Sequence, residues 1–158
     1  MAMAEKLKTY LLEHRIEYTL IPHPHTGSSM ETAEVAHVPG DALAKGVVVK
    51  DEAGYLLVAI PSDYHLEMDK LAQRIGRRVK MAREEELPSL FPDCELGAAP
   101  PIGPAYGLRT LWDPNTSLGR LDEIYFEAGD HEHLVRVTGR QFHELMEPAE
   151  RGKFSHHV

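Results

Sequence analysis

Residues 44–50, AKGVVVK, and residues 55–61, YLLVAIP, are two apolar runs rich in β-branched side chains, and the intervening DEAG, 51–54, has the composition of a turn. Together they predict a β-hairpin. Val47, Val48 and Val49 follow one another with no polar residue between them. The first strand is therefore expected to be covered on both faces and to lie centrally in its sheet.

Upstream of the hairpin, Leu7, Tyr10 and Leu11 in the segment 4–14 fall at i, i+3 and i+4, one apolar stripe on a short helix. A strand is expected over 18–21. Ser28 with Glu31 has the spacing of a capping box, opening a helix that runs to about His37 before Pro39-Gly40 ends it. Downstream, 69–75 predicts a helix closed by Gly76, followed by a strand at 79–82 and a helix at about 83–90.

Residues 91–107, FPDCELGAAPPIGPAYG, contain four prolines and three glycines, so no regular element is expected there. So long a loop inside a compact domain is more often functional than idle. Beyond it, strands are expected at 108–113, 123–128 and 133–137, the last two joined by a tight turn at 129–132. Thr138 and Gln141 repeat the capping box, and Phe142, Leu145 and Met146 give the closing helix an apolar face. Strands interleaved with helices and at least two hairpins predict an α+β fold, a mixed, mainly antiparallel curved sheet with surrounding helices. One domain over 1–150 and a flexible tail over 151–158 are expected.

Composition narrows the function. No stretch approaches the ~20 apolar residues that span a bilayer, and the charged N-terminal MAMAEKLKTYLLEH lacks the apolar segment of an export signal, so a cytoplasmic protein is expected. Cys94 is the single cysteine, which excludes an intramolecular disulfide and a four-cysteine zinc site. A net charge of −8 argues against coating DNA or other long nucleic acid. Locally, however, 70–83 carries Lys70, Arg74, Arg77, Arg78, Lys80 and Arg83 with no acidic residue. Within that strip Arg74, Arg77, Arg78 and Lys80 are the candidate phosphate contacts, against a solvated surface as the bland alternative. Gly-rich phosphate loops, zinc-protease motifs and serine nucleophile elbows are absent.

Three features carry candidate chemistry. Lys45 opens a buried strand, where an ammonium is costly unless it meets an anion or a carbonyl oxygen, although a strand-edge lysine reaching back to water is the commoner case. The segment 97–104, GAAPPIGP, combines close backbone approach with stiffness, which lets backbone groups hold a water or carbonyl without reorganising; an ordinary surface loop is the alternative. His23 with His25 and His131 with His133, aided by Asp130 or Glu132, have a spacing that a metal site could use, but the spacing is nonspecific and no metal or other cofactor is expected.

In order along the chain, HPHTGSSMETAEVAHV, AKGVVVK, the return YLLVAIPSDYHLEMDKLAQRIG, the loop GAAPPIG and the segment EAGDHEHLVRVTGRQFHEL resemble the YbaK family. That family comprises free-standing aminoacyl-tRNA deacylases and the editing insertion domain of bacterial prolyl-tRNA synthetases. The resemblance implies a pocket for an aminoacyl ester between the sheet and the Gly/Pro loop. It also implies a functional lysine at Lys45, a substrate-positioning loop at Gly97, Pro100, Pro101, Ile102 and Gly103, and a pocket histidine at His131. The implied reaction is hydrolysis of the ester of mischarged tRNA carrying a small wrong amino acid such as Ala, Cys or Ser, with the substrate's own ribose hydroxyl helping to activate water. The acceptor end of tRNA is the implied partner, with an aminoacyl-tRNA synthetase as a second. Gly46, where a larger residue is usual, and the extension Pro104-Ala105-Tyr106-Gly107 depart from the pattern and bear on the substrate. A silent tRNA- or synthetase-binding module and a metal-dependent hydrolase are the rival readings.

Overall fold

The computed structural model describes residues 3–26 and 28–157, apart from the side chains of Ser29 and Met30; Met1, Ala2, Gly27 and Val158 lie outside the described residues. The hairpin forms as expected. Strand β2 (Leu43–Asp51) pairs antiparallel with β3 (Gly54–Pro61), and the Asp51 carboxylate closes the turn by accepting the N–H groups of Ala53 at 2.7 Å and Gly54 at 3.1 Å.

Around this pair stand β1 (Thr19–Pro22), β6 (Arg109–Trp112), β7 (Glu123–Glu127), β8 (His133–Thr138) and β9 (Glu150–Arg151), in the order β1-β8-β7-β2-β3-β6-β9. The short β5 (Lys80–Met81) adds to β2. The neighbours β7–β2, β3–β6 and β6–β9 run parallel and the rest antiparallel, so the sheet is mixed and mainly antiparallel.

Strand β2 is central and covered on both faces. Val48 joins a core with Trp112, Phe126 and Phe142, while Val49, one residue on and across the pleat, joins a second core with Val58, Leu111 and Phe154. On the first face lie α1 (Glu5–Glu13), burying Leu7 and Leu11, and α5 (Gly139–Leu145), burying Phe142 and Leu145. The Thr138–Gln141 capping box is formed at the start of α5, whereas at α2 (Ser29–Val35) Ser28 accepts the Glu31 N–H without the return bond. On the second face, α3 (Met68–Ile75) buries Leu71, and Gly76 ends it.

Three expectations are corrected. Residues 91–107 are not wholly irregular, because a 3-10 turn forms at Gly103–Tyr106; next to it, the helix expected at 83–90 divides into a 3-10 turn at Glu84–Glu86 and α4 (Leu87–Leu90). The tail is held. Strand β10 (Ser155–His157) pairs with β4 (Tyr64–Leu66), β9 extends the main sheet, and Phe154 between them is fully buried in the second core. The sequence hides this because one aromatic in a polar segment carries no periodicity. Phe154→Ala should lower stability by about 3–5 kcal/mol, the range for emptying a buried Phe site. Thermal or denaturant unfolding measures it, and an unchanged midpoint would show that the tail does not dock.

Candidate active site

The outer edge of β2 is only partly paired. Strand β7 meets it at Leu43 and Ala44, β5 meets it at Val49 and Lys50, and Ala82 donates its N–H to the Val48 carbonyl at 3.0 Å. Between these contacts the edge from Lys45 to Val47 has no strand beside it among the described residues. Because backbone groups on one edge recur every second residue, the N–H and C=O of Gly46 point the same way as the Val48 carbonyl, into the gap.

A cavity of about 280 Å³ opens there, between the sheet and the Gly/Pro loop. Its walls are mainly apolar, with Val48, Met81, Leu87, Phe91 and Leu96 prominent and Glu84 and Glu95 supplying carboxylates.

The loop divides in two. Gly97 lines the cavity at a φ of 83°, and a Cβ there would lie 3.4 Å from the His131 ring, so glycine suits both the backbone and the contact. Pro101 backs the cavity: its Cα is 3.3 Å from where a Cβ on Gly46 would stand. Pro100 and Gly103 are buried and do not line the cavity, and a Cβ on Gly103 would meet Thr110 Oγ1 at 1.8 Å. Gly103 thus serves close packing.

His131 is brought to this loop. Its Nε2 lies 2.5 Å from the Leu96 carbonyl, and its φ of 61° places it in the left-handed region, unusual for a side-chain-bearing residue. Lys45 stands apart. It precedes Gly46 on β2, yet its side chain is not part of the cavity wall, and the pleat puts it on the face of Val47 and Val49. Burial lowers its pKa, opposed by the Asp63 carboxylate, and its ammonium has no hydrogen bond or ion pair among the described residues.

Of the basic strip, Arg74 donates its Nε hydrogen to the Arg151 carbonyl at 3.0 Å and Arg77 lies 3.8 Å from Asp51, while Arg78 and Lys80 are exposed and carry no side-chain partner among the described residues. Lys80 immediately precedes Met81 of the cavity wall on β5, although on a strand the two side chains point to opposite faces.

The histidine pairs do not behave as alternating strand residues. His23 and His25 follow the end of β1 in a loop, and His131 sits in the turn before β8. Each ring has its own partner: His23 faces Glu127 at 3.3 Å, His25 faces Glu95 at 3.4 Å, and His133 Nδ1 lies 2.7 Å from the Asp130 carboxylate. No group of three His, Cys, Asp or Glu side chains that could hold a metal occurs among the described residues. Glu127 was invisible to sequence reasoning, since it ends a strand of alternating character and its burial among histidines depends on three separate segments.

This architecture is shared with solved structures. A protein described as hypothetical superposes with a TM-score of 0.81 at 24% identity, covering 96% of this chain and 100% of its own. Another, described as "a putative trans-editing enzyme for prolyl tRNA synthetase", has a TM-score of 0.79 at 21% identity over 97% of this chain and 96% of its own. The fold is therefore YbaK-like, a single mixed α/β domain. Residues 23–145 match the family described as the aminoacyl-tRNA editing domain, and the chain belongs to that family. Among curated proteins there is no significant match.

The thiol on the cavity wall is chemically quiet. Burial pushes Cys94 up to about 12, with the Tyr106 hydroxyl at 3.3 Å opposing and the Asp93 carboxylate at 3.4 Å assisting. Since only the thiolate is nucleophilic, and the greater basicity of this one only partly offsets its scarcity, iodoacetamide should alkylate native Cys94 about 50-fold more slowly near neutral pH than a free thiol. Labelling at the free-thiol rate in folded protein would return Cys94 as a candidate nucleophile.

Proposed function

We propose that the chain is a trans-editing hydrolase that cleaves the ester of mischarged tRNA. The preformed cavity at the open edge of β2 is the observation that carries this reading. Its volume lies just below the ~300–1,000 Å³ usual for small-molecule sites, a size suited to an aminoacyl group rather than a whole nucleotide.

An aminoacyl ester is already labile, so orientation and stabilisation of developing charge suffice and no covalent intermediate is needed. The amino-acid side chain enters among Val48, Phe91 and Leu87, and the exposed Gly46 N–H is the donor offered to the ester carbonyl. Glu84 and Glu95 attract the α-ammonium. Lys45, outside the cavity but next to Gly46, meets the terminal phosphate, which gives its half-buried, unpaired ammonium an anion. Arg78 and Lys80 hold phosphates further along the acceptor end.

Selectivity rests on size. One methylene in an apolar pocket is worth only about 10–200-fold, so a small wrong residue such as Ala, Cys or Ser is admitted and larger ones are excluded sterically. The chain acts in the cytoplasm, beside the synthetase that makes the error.

Single-turnover deacylation of a panel of mischarged tRNAs, with and without chelator, tests the proposal; at least one small aminoacyl-tRNA should be cleaved at the same rate in both conditions. Lys45→Ala should lose about 100–1,000-fold in rate with little change in melting, and Lys45→Arg should also be slow, because a planar guanidinium does not replace a compact ammonium. A folded Lys45→Ala protein within a few-fold of wild type would remove that contact and favour a silent binding module.

Neutralising Arg78 and Lys80 together should weaken tRNA binding and reduce the slope of log K against log salt by about 1 for each charge. An unchanged slope would make the strip a solvated surface only.

A further inference from the structure

Behind Gly97, three titratable side chains meet away from water. His23, Glu127 and His131 are all buried, with His23 Nε2 at 3.3 Å from Glu127 Oε1 and His131 Nδ1 at 3.9 Å from Glu127 Oε2. The far nitrogen of each ring is engaged with a backbone carbonyl: His23 Nδ1 with Pro24 at 2.7 Å and His131 Nε2 with Leu96 at 2.5 Å. A carbonyl oxygen only accepts, so both of those nitrogens carry hydrogen. The two inward-facing nitrogens then present lone pairs to Glu127 unless one ring is an imidazolium.

An ionised Glu127 facing two lone pairs would be an unpaired buried charge, because no lysine or arginine pairs with it among the described residues and neither of its oxygens has a hydrogen-bond donor. One proton must therefore reside in the cluster, on Glu127 or on one of the rings. Burial, and secondarily the Asp130 carboxylate, push Glu127 up to about 8.

Among the described residues, the surrounding groups do not supply another donor. Asp130 is saturated by the N–H groups of Glu132 and His133 and by the His133 ring. His25, whose ring centroid is 5.1 Å from that of His131, is directed to Glu95, and the Cys94 thiol stands near Gly129 in the same turn.

We propose that Glu127 is a positioning residue for the cavity wall: with a proton held between Glu127 and His23, no carboxylate charge draws hydrogen to His131 Nδ1, so His131 stays in the form whose Nε2 holds the Leu96 carbonyl and keeps Gly97 in place. When that proton leaves, His131 relieves the repulsion by carrying its remaining hydrogen on Nδ1, toward Glu127, and the Leu96 carbonyl loses its donor. The wall is therefore ordered at neutral pH and released as pH rises through the cluster's titration. The kinetic consequence rests on the hydrolase reading above; the tautomer does not.

Two measurements decide it. Nitrogen-15 correlation spectra of the histidine rings, recorded from pH 5 to 9.5, should show His131 with hydrogen on Nε2 at neutral pH in wild type and a shift of hydrogen toward Nδ1 on the alkaline side. In Glu127→Gln, whose amide donates at every pH, the Nε2–H form should persist throughout. After subtraction of uncatalysed ester hydrolysis, KM for deacylation should rise about 10-fold from pH 7 to 9 in wild type with kcat nearly constant. It should stay flat in Glu127→Gln and be raised at pH 7 in Glu127→Ala.

His131 found with hydrogen on Nδ1 at neutral pH, or an alkaline transition retained unchanged in Glu127→Gln, would overturn the proposal. If wild type cleaves no mischarged tRNA, the hydrolase reading fails while the ring spectra still decide the role of Glu127. Should Glu127→Ala not fold, Glu127→Gln alone carries both tests.

Discussion

The turn between β7 and β8 is the constraint on which the rest of the molecule depends. Its carbonyls at Ala128, Gly129 and Glu132 accept the N–H groups of Ala4 at 2.8 Å, Glu95 at 2.8 Å and His23 at 2.8 Å, so the N-terminus, the long loop and the segment after β1 are all anchored to it. Gly129 permits this crowding: its φ is 110°, and a Cβ there would stand 2.8 Å from that of Ala4 and 3.3 Å from the Cys94 sulfur. Asp130, fully buried, holds the turn's own backbone; burial acts to raise its pKa, but the hydrogen bonds from Glu132 and His133 win and keep it below the ordinary carboxylate range. Backbone bonds to a turn of five residues, 128–132, thus fix where three distant segments stand.

The open edge of β2 follows from the same arrangement. The turn draws the loop across the sheet where β7 has stopped pairing with β2 and β5 has not begun, so the gap is roofed by Gly97 and Ala99 rather than closed by a strand. An uncovered strand edge ordinarily invites association with another chain. Here the gap is short, it lies under a proline-stiffened loop, and its apolar walls form a recess rather than a flat template. Unpaired backbone groups in such a recess are already oriented, so they can receive a polar ligand with little reorganisation.

Electrostatics divide the molecule by scale. The whole chain is acidic, yet among the described residues Lys45, Arg78 and Lys80 are cations with no side-chain hydrogen bond or ion pair, while Glu84 on the cavity wall is an anion with none. At moderate salt the field of a distant charge is screened within about 8–10 Å, so these local charges, rather than the net charge, set the potential around them.

The sequence by itself determined the central hairpin, the terminal helices and the mixed sheet, because continuous valines, capping residues and apolar stripes are local signals whose meaning does not wait for tertiary contacts. It also singled out the Gly/Pro loop and His131, through a resemblance that depends on the order of short motifs. It did not reveal that Gly103 serves packing, that Phe154 pins the tail, or that Arg74 and Arg77 are partly committed to Arg151 and Asp51. Nor could it find Glu127, whose two partners come from residues 23 and 131. Tertiary structure alone decided these, since burial, the gap in strand pairing and the protonation of a carboxylate among histidines are properties of segments brought together, and no single segment encodes them.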